Sequence, residues 1–284
     1  DAFRGVDVSK IRLVVPKGTK KAYKRAPNWE RFFKKPRTVA EQCPDEYAII
    51  PVPNRIAYHS GKTLSTKSLG KIIAPSSLAN EQERLREVLS HRLGIKNFNK
   101  GKCPITLGID NKIGGKEAYR LVIDEEGINI TGADATGVFY GIMTLDQMLV
   151  PEQEGGRLAY LNAVTVEDSP RTGMRELMVD PCRIFIPFED LKGMVVEMAR
   201  YKMNALHLHL TDDQAWRIEI KKYPRLTELG SFRVGMDDMQ MPIGGFYTQE
   251  QMKELVAFAS QYHVEIIPEI EMPGHQVAAI HCYP

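Results

Sequence analysis

Two short runs carry side chains able to do acid–base chemistry: His207-Leu208-His209-Leu210-Thr211-Asp212-Asp213, and Ile267-Pro268-Glu269-Ile270-Glu271-Met272-Pro273-Gly274-His275. Extended chain places alternate side chains on one face. His207, His209 and Thr211 therefore point one way, with Leu206, Leu208 and Leu210 opposite, and Ile267, Glu269 and Glu271 share a face in the second run. Each run ends in a cluster of acid and imidazole. Buried carboxylates and histidines require partners, so two such clusters, with Arg183 beyond an earlier apolar run, point to a polar pocket for a small molecule. Taken singly the signals are weaker. A lone His-x-His is more often a hydrogen-bonded structural feature than a metal site, and Asp212-Asp213 alone could cap a turn or a helix. A metal-dependent hydrolase built on His207 and His209 stands as an alternative, but it needs further ligands and leaves the Thr-Asp-Asp-Gln and Met-Pro-Gly-His runs unexplained. No metal and no cofactor are expected.

For the two runs to share a rim, parallel strands must carry them. From Arg171 the pattern reads as strand 175–180, helix 188–201, strand 204–210, helix 248–262 and strand 264–271. Such alternation implies parallel strands joined by crossover helices. The stretch 211–247 is too long for a simple connection, and long loops at the carboxyl ends of barrel strands commonly hold function. Upstream, 71–74 reads as a strand and 76–93 as a helix, with Leu85, Val88, Leu89 and Leu93 on one face and Gly94 as its stop. A strand at 105–109 follows. Strands at 119–123 and 127–131 are joined by Asp124-Glu125-Glu126, a hairpin signal, and a helix covers 137–149. The fold class is α/β. A small α+β domain at 45–166, with helices on one sheet face, precedes an α/β unit at 167–284, and 1–44 form a basic extension.

The chain has 284 residues, 43% hydrophobic and 26% charged, a composition suited to soluble domains with sizeable cores. No apolar run approaches the ~20 residues of a membrane helix. The net charge of +2 hides an asymmetry: residues 1–42 hold twelve Lys or Arg against four Asp or Glu. Trp29, Phe32 and Phe33, at helical spacing after Asn28, favour a solvated basic extension with one docking helix over a nucleic-acid site. The four cysteines, Cys43, Cys103, Cys182 and Cys282, form no metal-type pair; four free or buried thiols are favoured over two disulfides.

Three ordered motifs carry a family resemblance: 175–183 (Arg-Glu-Leu-Met-Val-Asp-Pro-Cys-Arg), 204–217 (Asn-Ala-Leu-His-Leu-His-Leu-Thr-Asp-Asp-Gln-Ala-Trp-Arg) and 268–275 (Pro-Glu-Ile-Glu-Met-Pro-Gly-His). They resemble successive signatures of the family 20 glycoside hydrolases, and 117–123 with 128–141 is similar to the small non-catalytic domain preceding the barrel in that family. The likeness runs from about Tyr47 to Pro284. It implies that 167–284 contribute the first three β/α units of a TIM (β/α)8 barrel. It also implies a β-N-acetylhexosaminidase that removes terminal N-acetylglucosamine or N-acetylgalactosamine with retention, the substrate's acetamido oxygen attacking the anomeric carbon. Carried over by motif, Arg183 binds sugar hydroxyls, for which a guanidinium fork suits a vicinal diol. Asp212 and His275 support the acid/base Glu. Glu271 stands where the family usually has Asp and belongs with substrate binding. His209, Asp213 and Glu269 are rim partners. Glu176 replaces a more usual Gly. The expected partner is an amino-sugar glycan, not nucleic acid, and the resemblance favours export to periplasm, cell surface or lysosome.

The family's catalytic Asp-Glu pair follows the fourth barrel strand. Here the only Asp-Glu dipeptides are Asp45-Glu46 and Asp124-Glu125, neither on a barrel strand. The expectation is a fragment inactive by itself, with a non-catalytic carbohydrate-binding or assembly piece as the alternative. Three strands leave the third with an unpaired edge, so self-association through that edge is expected, and Ile266 and Ile270 should meet a following helix, of which 276–280 is the beginning.

Overall fold

A computed structural model describes residues 46–150, 158–234 and 242–284. The docking helix read near Asn28 lies outside them, as do Cys43 and Asp45. The chain opens with β1 (Arg55–Ser65), β2 (Leu69–Ile73), α1 (Ala79–Leu93), β3 (Cys103–Ile109), β4 (Tyr119–Ile123), β5 (Ile128–Gly132), α2 (Ala135–Met148) and β6 (Tyr160–Asp168). The six strands form one mixed sheet in the order β1-β6-β4-β5-β3-β2. The hairpin signal is realised as β4–β5, paired antiparallel with Leu121 opposite Ile130. The Asp124 carboxylate accepts from the Glu126 and Gly127 N–H groups at 2.9 and 3.0 Å and so closes the turn. Helix α1 stops at Gly94, in the left-handed region with φ +67°, whose N–H donates to the Ser90 carbonyl.

Strands β1 and β6 were absent from the sequence reading. β1 lies at an edge and is mostly exposed, so it lacks the apolar alternation that marks a half-buried strand. β6 did carry that alternation in Leu161, Ala163, Val164 and Val166, all buried, and it runs to Asp168, past the expected boundary at 166.

Helix α2 is capped by the Asp134 side chain, which accepts from the Gly137 N–H. It is apolar nearly all round because it is enclosed by the sheet, α1 and a helix of the following unit. Gly141 lets it approach closely: a Cβ there would sit 2.5 Å from the Ile130 side chain.

The second unit contains β7 (Glu176–Val179), α3 (Phe188–Arg200), β8 (Ala205–His209), α4 (Arg225–Glu228), β9 (Phe232–Val234), β10 (Pro242–Gly244), α5 (Gln249–Ser260), β11 (Glu265–Glu269) and α6 (Val277–Cys282). β7, β8 and β11 are parallel neighbours in that order, with His207 opposite Met178 and Ile267, and His209 opposite Glu269. Leu206, Leu208 and Leu210 are fully buried in one core with Leu191, Val195 and Met198 of α3 and Leu255 and Ala259 of α5. The opposite face is left for the polar side chains.

Buried ion pairs join the two units. Arg175 donates to Glu117 at 2.6 Å and to the Tyr140 hydroxyl at 2.8 Å. Lys202 donates to Asp168 and to the Tyr119 hydroxyl, both at 2.9 Å. Asp146 accepts from Arg92 of α1 and Arg200 of α3.

One packing expectation is corrected. Helix α6 does not cover Ile266 and Ile270; its Ala279 and Cys282 pack on Trp216 and Leu226 of the long connector. Ile266 packs against the main core, and Ile270 remains 42% exposed. The connector's Trp216 offers a larger apolar surface nearer the helix. Cys103, Cys182 and Cys282 are free thiols. Among the described residues no helix is long and apolar enough to cross a membrane.

Candidate active site

Glu176 stands at the amino end of β7, while the carboxyl ends of β7, β8 and β11 bring Arg183, His209, Asp212, Asp213, Glu269, Glu271 and His275 to one rim. Asp212 is its centre, with a side chain only 1% exposed. Its Oδ2 accepts from His209 Nε2 at 2.8 Å and from an Arg183 guanidinium nitrogen at 2.5 Å. Its Oδ1 accepts from the Asp213 N–H at 2.6 Å and contacts His275 Nδ1 at 3.0 Å. Burial alone would raise the Asp212 pKa, but the His209 hydrogen bond, the Asp213 N–H, the Arg183 charge and His275 together bring it below the usual carboxylate range. Asp212 is therefore an anion.

Backbone geometry explains how so many groups converge. Thr211, buried at the end of β8, accepts the Glu271 N–H on its hydroxyl at 2.8 Å, tying the segment after β11 to that after β8. Asp213 accepts the Val277 N–H at 3.2 Å, which docks the start of α6. Between these ties His275 takes a left-handed conformation, φ +54°, uncommon for a residue with a Cβ.

Arg183 is half-exposed and is clamped from behind by Asp180, which accepts from both its backbone N–H and its guanidinium. Asp180 was not singled out in the sequence; its place three residues before Arg183 was the available signal. Deeper in the rim, Glu269 Oε2 accepts from His207 Nε2 at 2.7 Å and His209 Nδ1 at 3.0 Å. His207 Nδ1 contacts Glu176 at 2.7 Å, so the Glu that departs from the family's usual Gly is a partner of β8. Burial pushes the His209 pKa down, but its hydrogen bonds to Asp212 and Glu269 outweigh that and hold it above the ordinary histidine value. Glu269 and Glu271 lie close enough to perturb one another. Their hydrogen bond lowers Glu269, against its partial burial, and raises Glu271, which burial raises further.

The ligand atoms of His209, Glu269 and Glu271 lie within 4.8 Å of one another, as do those of Asp212, Asp213 and His275. These are the residues that could hold a cation. Their nitrogens and oxygens are instead joined by the hydrogen bonds above, and we read neither group as a metal site.

The connector is organised by Arg217, fully buried and absent from the sequence reading as a structural centre. Its guanidinium donates to the carbonyls of Pro181 at 2.8 Å, Cys182 at 2.9 Å, Gly245 at 2.9 Å and Ser231. It thus fixes the backbone immediately before Arg183 to both ends of the β9–β10 hairpin. Gly244 is needed for this approach, because a Cβ there would fall 2.1 Å from the Ser231 carbonyl oxygen and 2.9 Å from the Arg217 guanidinium.

The family model described as glycosyl hydrolase family 20, domain 2, matches residues 46–169, and that of the family's catalytic domain matches 173–284. A β-hexosaminidase of Porphyromonas gingivalis is 41% identical over 247 residues, covering 83% of this chain and 31% of the relative. One of Vibrio furnissii is 32% identical over 245 residues, covering 84% and 39%. The chain thus spans about a third of the length of the curated relatives it matches. Among solved structures, the exo-β-N-acetylglucosaminidase of Vibrio harveyi in complex with N-acetylglucosamine superposes with a TM-score of 0.74 at 33% identity, covering 83% of this chain and 38% of that one. The Streptomyces plicatus N-acetyl-β-hexosaminidase does so with 0.70 at 33%, covering 85% and 50%. The two family models fall end to end on the two sheets, with the rim cluster inside the catalytic one, and this chain belongs to glycosyl hydrolase family 20.

Proposed function

We propose that these residues are part of a retaining β-N-acetylhexosaminidase. In this reading the β7–β8–β11 sheet is the first three units of a (β/α)8 barrel, set after a small non-catalytic domain. The rim is one wall of the subsite for a terminal N-acetylglucosamine or N-acetylgalactosamine. The observation that carries it is the buried Asp212 carboxylate, which orients two different tools, Arg183 through one oxygen and His275 through the other. The Arg183 fork binds sugar hydroxyls, and His275 supports the acid that protonates the glycosidic oxygen.

In this chemistry the substrate's acetamido oxygen attacks the anomeric carbon while an enzyme Glu protonates the glycosidic oxygen. The C–O bond breaks and the aglycone leaves as an alcohol. Water then attacks the same carbon, the Glu takes its proton, and the acetamide is restored with configuration retained. Within residues 1–284 the Asp-Glu dipeptides are Asp45-Glu46 and Asp124-Glu125, the latter in the β4–β5 turn of the other sheet. The acid/base therefore comes from sequence outside these residues. Glu271, beside Glu269 on the same rim, serves substrate binding.

Arg183→Ala, in the protein carrying the whole catalytic domain, should remove charge-assisted hydrogen bonds worth about 1.5–3 kcal/mol. That corresponds to roughly 10- to 150-fold in kcat/KM on a chromogenic β-N-acetylglucosaminide. An unchanged kcat/KM in a folded variant removes Arg183 from the subsite. The polypeptide 1–284 alone should show no turnover; turnover abolished by a substitution within it would refute the placement of the acid elsewhere.

A further inference from the structure

The rim contacts form one unbroken chain. Glu176 Oε1 meets His207 Nδ1 at 2.7 Å, and His207 Nε2 meets Glu269 Oε2 at 2.7 Å. The same Glu269 oxygen meets His209 Nδ1 at 3.0 Å, His209 Nε2 meets Asp212 Oδ2 at 2.8 Å, and Asp212 Oδ1 meets His275 Nδ1 at 3.0 Å. Carboxylates and imidazoles alternate across all three strands. An ionised carboxylate only accepts, so each contact needs one proton, carried by the ring nitrogen. A neutral imidazole carries one proton, yet His207 and His209 each face carboxylates through both nitrogens. Donating through both nitrogens at once takes a second proton on the ring, the direction in which the His209 pKa is shifted. His275 meets Asp212 through Nδ1 alone, and in its neutral form Nε2, across the ring, is an unprotonated acceptor.

We propose that Glu269 is a positioning residue for Asp212 and His275, acting through His209. By accepting N–H groups from both His207 and His209 it keeps His209 doubly protonated, so that His209 grips Asp212 Oδ2 and leaves Oδ1 to fix the His275 ring by its Nδ1–H. The relevance to catalysis rests on the reading that Asp212 and His275 serve the sugar subsite; the protonation pattern does not. The other charged groups facing the chain are consistent with it. Arg183, backed by Asp180, adds positive charge at Asp212, and Glu271, 4.0 Å from His209 Nδ1, has its carboxyl pKa raised by the neighbouring Glu269. Without Glu269 the cation at His209 would have Asp212 as its single hydrogen-bonded carboxylate.

The test is nuclear magnetic resonance of the protein carrying the whole catalytic domain, labelled only in its histidine rings, so that few signals are read and no substrate is needed. In the wild type the His209 midpoint should lie above 6.5, the ordinary histidine value, and neutral His275 should show a single Nδ1–H tautomer. In Glu269→Gln the His209 midpoint should fall and the His275 tautomer signal should become mixed. Removing an opposite charge at hydrogen-bond distance moves a pKa by about 1–3 units, an easily read shift. Glu269→Asp, keeping the charge, should restore part of the His209 midpoint. A wild-type His209 that loses its proton in the ordinary range overturns the proposal, as does a folded Glu269→Gln variant with His209 and His275 unchanged. Should that variant not fold, Glu269→Asp, its carboxylate drawn back by one methylene, decides: a His209 midpoint and a His275 tautomer identical to wild type overturn the proposal. Since no turnover is measured, failure here is distinct from failure of the glycosidase reading, which the Arg183→Ala kinetics address.

Discussion

Replacing Arg217 tests how the rim is held. Its side chain is fully buried and its guanidinium donates to four carbonyls from three separate segments: 181–182, 231 and 245. Arg217→Met preserves length and apolar contact but removes every donor. Each buried carbonyl left without a partner costs about 1–3 kcal/mol. These losses are not additive, since the backbone can relax towards water, so about 4 kcal/mol is the expected total. Arg217→Lys keeps the charge and up to three donors but loses the planar fork, and should cost about half as much, roughly 2 kcal/mol. Trp216, adjacent in sequence, 9% exposed and donating to the Ile218 carbonyl at 2.7 Å, is a local reporter. The chain's other tryptophan is Trp29, so a Trp29→Phe background isolates the signal. With a urea slope of about 3 kcal/mol/M, the Met variant should move the Trp216 transition down by about 1.3 M and the Lys variant by about half that. A shift below about 0.3 M for Arg217→Met would mean that the four carbonyls find other partners without cost, and that Arg217 does not organise the connector.

The Asp146 carboxylate, pushed up by burial but held below the usual range by Arg92 and Arg200, contributes stability that is present above its unfolded value near 3.9 and lost as pH falls through the lower folded value. Asp146→Asn should therefore unfold at lower urea than wild type at pH 7, with a gap that narrows below about pH 4; a gap that widens on acidification would contradict the assignment. Met178 of β7 and Ile270 just after β11 are exposed, with Met272 and Val277 beyond, and among the described residues β11 is an unpaired edge. The polypeptide 1–284 should self-associate at micromolar concentration in light scattering, and a thermally cooperative monomer would refute this.

Much of the α/β alternation and nearly all of the site vocabulary were legible in the sequence, because they depend on local periodicity. The alternation of His207, His209 and Thr211 against Leu206, Leu208 and Leu210 set the two faces of β8, and the burial of those leucines bears it out. Asp124 and Gly127 announced their hairpin, and Gly94 its helix stop, because turns and caps are made by residues within a few positions of one another. The motif order 175–183, 204–217 and 268–275 was enough to indicate the family. Tertiary structure alone decided which acid meets which base. Parallel register sets Glu269 opposite His209 and brings Glu176 to His207 across 31 positions of sequence. No local pattern encodes such a pairing, since it depends on how three strands separated by long crossovers are aligned. The edge strand β1 was hidden for a related reason: with most side chains in water it is held by backbone pairing to β6, which leaves no apolar signature. Arg217 is the sharpest case. A charged residue in a long connector reads as surface, and only the convergence of carbonyls from three distant segments makes burying its charge favourable.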